Sequence, residues 1–160
     1  MDTPKFVADV HLARLARTLR LLGIDTLYFN HIEDSELKEI AKNEKRFILT
    51  KDRRLCEESD RCYLVQSKEP KAQLLEVLRA FQIRRCRPFS RCLLDNAPLA
   101  SVSKSNVEDR LPPKVRGFYE EFWICPECDR VYWHGTHWER MRDFIDEVCD
   151  EIQGPGNAKS

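Results

Sequence analysis

Between Lys5 and Phe81 the chain repeats one pattern four times: a short apolar run, then a stretch with helical periodicity. KFVAD (5–9) leads into VHLARLARTLRLLG, where Leu12, Leu15, Leu19 and Leu22 recur at helical spacing and Gly23 supplies the stop. TLYFN precedes the helix DSELKEIAKNE, RFILT (46–50) precedes the short helical turn KDRRLCEE, and CYLVQ precedes PKAQLLEVLRAF. Pro70 opens that last helix as a first-turn proline. Strands separated by helices of this length imply an α/β fold, with a parallel sheet covered by helices.

The pattern breaks near Ile83. RRCRPFSRCLLDNAPL lacks periodicity and carries turn residues, so the sequence divides into a larger body (1–84) and a smaller module (85–150) whose end is helical. The segment 151–160, ending in GPGNAKS, reads as a disordered tail. In the small module, Cys125-Pro126-Glu127-Cys128 has the spacing of a zinc knuckle, two thiolates gripping a metal from one side. Four ligands are needed, so this knuckle is half a site. A redox role for the pair is the weaker reading, because no strand-to-helix setting surrounds it.

Composition narrows the class. Of 160 residues, 42% are hydrophobic, enough for a core, and no apolar run is long enough to span a membrane. The start MDTPKFVADV lacks the features of a signal peptide. Seven cysteines, an odd number beside a CxxC pair, argue for reduced thiols and a metal in the cytoplasm. Net charge is zero, but basic residues gather at Arg46, Lys51, Arg53 and Arg54 and again at Arg84, Arg85, Arg87 and Arg91. Such patches suit phosphate contacts, although solvated surface charge explains any single one equally well.

Three aspartates follow apolar runs. Asp9 ends the first strand, Asp34 opens the second helix, and Asp52 follows the third strand after one intervening residue. In a parallel sheet these junctions share the carboxyl edge, where open α/β sheets place their sites. Each Asp also sits where a helix N-cap belongs, and capping alone accounts for one such residue. Three carboxylates on one rim would repel one another, and a bound cation relieves this. Oxygen-rich sites of that kind suit magnesium or manganese.

The segments FVADVHLARLARTLRLLGIDTLY, DSELKEIA, RFILTKDRRL and CPECDRVYWHGTHWERM together resemble the Mut-seven C-terminal ribonuclease domain, over about residues 5–145. The resemblance implies a PIN-like nuclease fold with an appended zinc ribbon, and metal-dependent cleavage of RNA. It also implies acidic catalytic and Mg/Mn-binding positions at Asp9, Asp34 and Asp52. Arg14, Lys51 and Arg53 are the residues expected to steady the RNA strand.

The family pattern further implies a second knuckle at RCLLDN, with aspartate standing where a second cysteine is expected. Three arrangements then compete. Cys92, Asp95, Cys125 and Cys128 together ligate zinc; Cys86, His134 or His137 supplies the fourth ligand; or the ribbon has lost its metal and stands on aromatic packing. His134 and His137 read as surface residues rather than catalysts. The leading function is a metal-dependent ribonuclease hydrolysing phosphodiester bonds of single-stranded RNA. The alternatives are a non-catalytic RNA- or ribonucleoprotein-binding module and a protein-docking domain built on Trp123 and Trp133.

Overall fold

The computed structural model describes residues 3–158. β1 (Phe6–Ala8) leads through a 3-10 turn (Val10–Leu12) into α1 (Ala13–Leu21). β2 (Thr26–Tyr28) then precedes α2 (Asp34–Asn43), β3 (Phe47–Thr50) precedes α3 (Arg53–Glu57), and β4 (Cys62–Leu64) precedes α4 (Pro70–Ala80). The four strands form one parallel sheet in the order β2-β1-β3-β4. The expected α/β architecture is therefore found.

Successive strand side chains point to opposite faces. Phe6, Ala8 and Leu49 join the core formed with Leu15 and Leu19 of α1 and Leu74 and Leu78 of α4. Val7 and Ile48 join the other core, with Leu37 and Ala41 of α2 and Leu55 of α3. Helices on both faces explain why the strands read as unbroken apolar runs rather than alternating ones.

At the end of α1, Gly23 turns the chain with φ +84°, and a Cβ there would lie 2.4 Å from the Arg87 carbonyl oxygen. Only glycine lets the segment after α4 lie so close, where the Arg87 and Phe89 amides donate to the carbonyls of Leu22 (2.9 Å) and Leu21 (3.0 Å).

Beyond this segment come β5 (Ala100–Val102), α5 (Lys104–Val107), α6 (Pro113–Phe118), β6 (Phe122–Ile124) and β7 (Val131–Tyr132). β5, β6 and β7 form a small antiparallel sheet over a satellite core of Val107, Leu111 and Phe122. The chain closes with α7 (Thr136–Ala158).

Two expectations need correction. The segment from 151 continues α7 as far as Ala158, and Ile152 is buried in the main core with Ile145 and Val148. Helical periodicity simply runs past Asp150; Lys159 and Ser160 of the expected tail lie outside the described residues. Nor are all seven cysteines free: Cys56 pairs with Cys62 and Cys86 with Cys149, leaving Cys92, Cys125 and Cys128 as thiols. The argument from reduced cysteines to a cytoplasmic setting loses its basis. The Cys86–Cys149 link, with Lys71 contacting Glu147 and Glu151, ties α7 back onto α4 and the first body. Among the described residues, no helix is long and apolar enough to cross a membrane.

Candidate active site and metal-ligand cluster

The chain passes from β1 to β2 on one side, then crosses back to place β3 on the other. The carboxyl ends of β1 and β3 thus flank a topological switch point, the usual site crevice of an open α/β sheet. Asp9 follows β1 there, its amide donating to Leu49 O (2.9 Å) as the ladder's last bond. Its carboxylate caps the following turn through His11 N (3.3 Å). Asp52 caps α3, with Oδ1 accepting from Arg54 N (3.0 Å) and Leu55 N (3.3 Å).

Thr50, buried at the end of β3, joins the two aspartates. Its hydroxyl donates to Asp9 Oδ2 (2.7 Å) and accepts from Asp52 N (3.0 Å). This threonine was not singled out from sequence; its signal is a hydroxyl ending an apolar strand, two residues before an acid. Among the described residues, neither Asp9 nor Asp52 has a Lys or Arg at ion-pair distance, and Asp9 has only the exposed His11 imidazole at 3.4 Å.

Other expected residues are placed differently. Asp34 begins α2 but does not cap it: Glu33 is the cap position, without a side-chain cap bond. The exposed Asp34 does not join Asp9 and Asp52 within the distance at which three side chains hold one ion. Lys51 donates to Ser67 O (3.0 Å), in a loop whose Ser67 and Gln66 amides are held by Glu76 (2.8 and 2.9 Å). Burial raises the Glu76 carboxyl, but the bonds from Tyr63, Gln66 and Ser67 outweigh it and its pKa is lowered. Arg14 and Arg53 are exposed.

Arg46, expected in a phosphate-binding patch, is instead buried in ion pairs with Asp25 (2.7 Å) and Glu44 (2.8 Å). Asp25, just before β2, also accepts from Asn96 Nδ2 (2.6 Å). Its own burial raises the carboxyl, yet the hydrogen bonds from Arg46 and Asn96 and the charges of Arg46 and Arg91 bring it below its ordinary value. Arg20 is buried as well, donating to Thr26 O (2.8 Å) and Leu93 O (2.9 Å). Together these polar groups bind the sheet to the loop that follows Cys92.

That loop and the CPEC turn are two copies of one knuckle. In the first, Cys92 N donates to Ala97 O and Asn96 N to Cys92 O (both 2.9 Å). In the second, Cys125 N donates to Arg130 O (2.9 Å) and Asp129 N to Cys125 O (2.8 Å). The fifth residue of each is left-handed, Asn96 at φ 74° and Asp129 at φ 65°. Asp95 therefore stands where Cys128 stands in the other copy.

The ligand atoms of Cys92, Asp95, Cys125 and Cys128 all lie within 4.8 Å of one another. A tetrahedron with metal–sulfur bonds of about 2.3 Å has edges of about 3.8 Å. Cys92 Sγ and Cys128 Sγ are 3.8 Å apart, and Cys125 Sγ is 3.2 Å from both Asp95 oxygens. The four fit a tetrahedral ion. Of the rival fourth ligands, Cys86 is in a disulfide and His134 is stacked between Trp123 and Trp138.

Fold and site define a parallel α/β domain with an acidic switch-point crevice and an appended pair of metal-ligand knuckles. The chain belongs to the Mut7-C RNAse domain family, whose sequence model matches residues 4–145. No curated protein and no solved structure matches it significantly. The family match gives a ribonuclease-like function, and the Cys/Asp cluster provides a set of side chains that could hold a metal ion.

Proposed function

We propose that the protein is a magnesium- or manganese-dependent ribonuclease that hydrolyses phosphodiester bonds of single-stranded RNA at the β1–β3 crevice. The observation that supports this most is the Asp9–Thr50–Asp52 arrangement: one buried hydroxyl holds the Asp9 carboxylate and the Asp52 backbone amide, and neither carboxylate has a neutralising Lys or Arg among the described residues. Magnesium sites commonly use one or two protein carboxylates and leave remaining positions to water and phosphate, so Asp9 and Asp52 fit as ligands, with Asp34 at the start of α2 as a further carboxylate. When bound, such an ion supplies charge to a phosphate and acidity to water.

The chain's own residues orient and receive. Thr50 fixes the Asp9 carboxylate, so no reorganisation is needed when substrate arrives. Asp52 spends Oδ1 on its cap and keeps Oδ2 to accept a proton from the attacking water. Exposed Arg14 and Arg53 meet the phosphate backbone, while Lys51 holds the loop after β4. The Cys92, Asp95, Cys125, Cys128 set holds a structural zinc. On this reading residues 1–84 form the nuclease body and 85–150 a ribbon braced against it.

The test is cleavage of end-labelled single-stranded RNA with manganese or magnesium, comparing the native protein with Asp52→Asn. Cleavage by the first and loss of at least about 100-fold in the second is the expected result. If neither cuts and both bind RNA equally, the non-catalytic binding module replaces the enzyme.

A further inference from the structure

A cleft of about 70 Å³ lies between the small sheet and α7, away from the acidic crevice. Its walls include Phe89 and Leu93, the cross-strand pair Trp123 and Tyr132, and Trp138 and Met141 of α7. Planar groups form a column at this place. Trp123 and His134 stack with centroids 4.4 Å apart at 20°, His134 and Trp138 at 4.4 Å and 12°, and the Arg142 guanidinium lies 5.3 Å from the Trp138 ring. Aromatic packing alone would account for a sealed cluster. Here His134 and His137 are exposed, Arg142 is half-exposed, and the Trp138 Nε1–H is buried without an acceptor among the described residues. A buried donor left unpaired costs free energy that a bound acceptor restores.

We propose that this cleft binds one unpaired nucleobase of single-stranded RNA, flat against the aromatic column, with a ring acceptor on Trp138 Nε1–H and an adjoining phosphate on Arg142. The proposal rests on the RNA reading above and extends it to a second site on the small module. A flat ring with edge acceptors matches both the stack and the orphaned donor, and the cation at the column's end complements a phosphate. An apolar side chain from a partner protein would satisfy neither polar group.

The probe is a 2′-O-methyl oligoribonucleotide of about ten residues, within the span single-strand binders usually cover. Its modified sugars resist hydrolysis, and no magnesium or manganese is added. Binding is read from tryptophan fluorescence and compared with an abasic oligonucleotide of equal length. Quenching is expected, with roughly ten-fold weaker binding of the abasic strand. Trp138→Phe, which keeps a ring and loses the N–H, should weaken the base-bearing strand roughly five-fold. Equal affinity for both strands with unquenched tryptophans overturns the proposal, and that comparison needs only the native protein. The two readings fail separately: a protein that cleaves RNA but treats both strands alike has no base cleft, whereas one that prefers the base-bearing strand and never cleaves RNA keeps the cleft and loses the nuclease.

Discussion

Replacing Asn96 tests whether the small module is fastened to the sheet by chemistry or merely rests on it. Asn96 Oδ1 accepts from Thr26 N (2.9 Å) at the start of β2, and Nδ2 donates to Asp25 Oδ1 (2.6 Å). Both Asn96 and Thr26 are buried, and Asn96 holds φ 74°. Asn96→Gly keeps the backbone geometry, orphans the Thr26 amide and takes a charge-assisted donor from Asp25, at a combined cost of about 3 kcal/mol. Asn96→Ala adds the left-handed strain of a β-carbon, about 1 kcal/mol more. Glycine should therefore be the milder change here, although alanine is normally the gentler substitution in folded elements. Asn96→Asp preserves an acceptor but sets a carboxylate against Asp25, so its damage should ease in acid. Urea unfolding followed by circular dichroism measures all three. Equal costs for Gly and Ala, or a loss below about 1 kcal/mol for either, refute the reasoning.

Four further outcomes follow from the structure. Zinc should co-purify at one ion per chain by elemental analysis; Asp95→Cys should hold it more tightly against a chelator, and Cys125→Ser should lose most of the roughly 10 kcal/mol a structural zinc contributes to folding. Under denaturing, non-reducing conditions a thiol reagent should count three cysteines, rising to seven on reduction. By chain-entropy scaling, opening Cys86–Cys149 (separation 63) should cost about 4 kcal/mol, against about 2 for Cys56–Cys62 (separation 6). Asp25 has its carboxyl lowered on folding, so its stabilisation is fully present above the ordinary value of 3.8 and is lost as pH falls through the lower folded value. Acid unfolding curves should accordingly be shallower below pH 4 for Asp25→Asn than for the native chain.

The parallel sheet was legible because its central strands β1 and β3 are buried on both faces, which leaves unbroken runs such as FILT between helical periods. The small sheet was harder to see: β5 to β7 have two or three residues each, too few for alternation to register. Asp9 and Asp52 could be placed at strand ends by position alone. Thr50 could not be recognised as their link, because a threonine ending a strand is ordinary until its neighbours are known. Burial also reversed the reading of Arg46, which pattern had grouped with a basic patch suited to phosphate. The disulfides were illegible for a similar reason: Cys86 and Cys149 are 63 residues apart and meet only because α7 returns to α4.

That return of α7 sets an order on the molecule's birth. The acidic crevice is written by residue 52, but the core beneath its sheet waits for Ile145, Val148 and Ile152. Until those arrive from the ribosome, α1 and α4 cover that face of the sheet alone, and the core lacks the side chains that α7 adds against α4. The nascent chain therefore carries both aspartates for about a hundred positions before α7 completes that core.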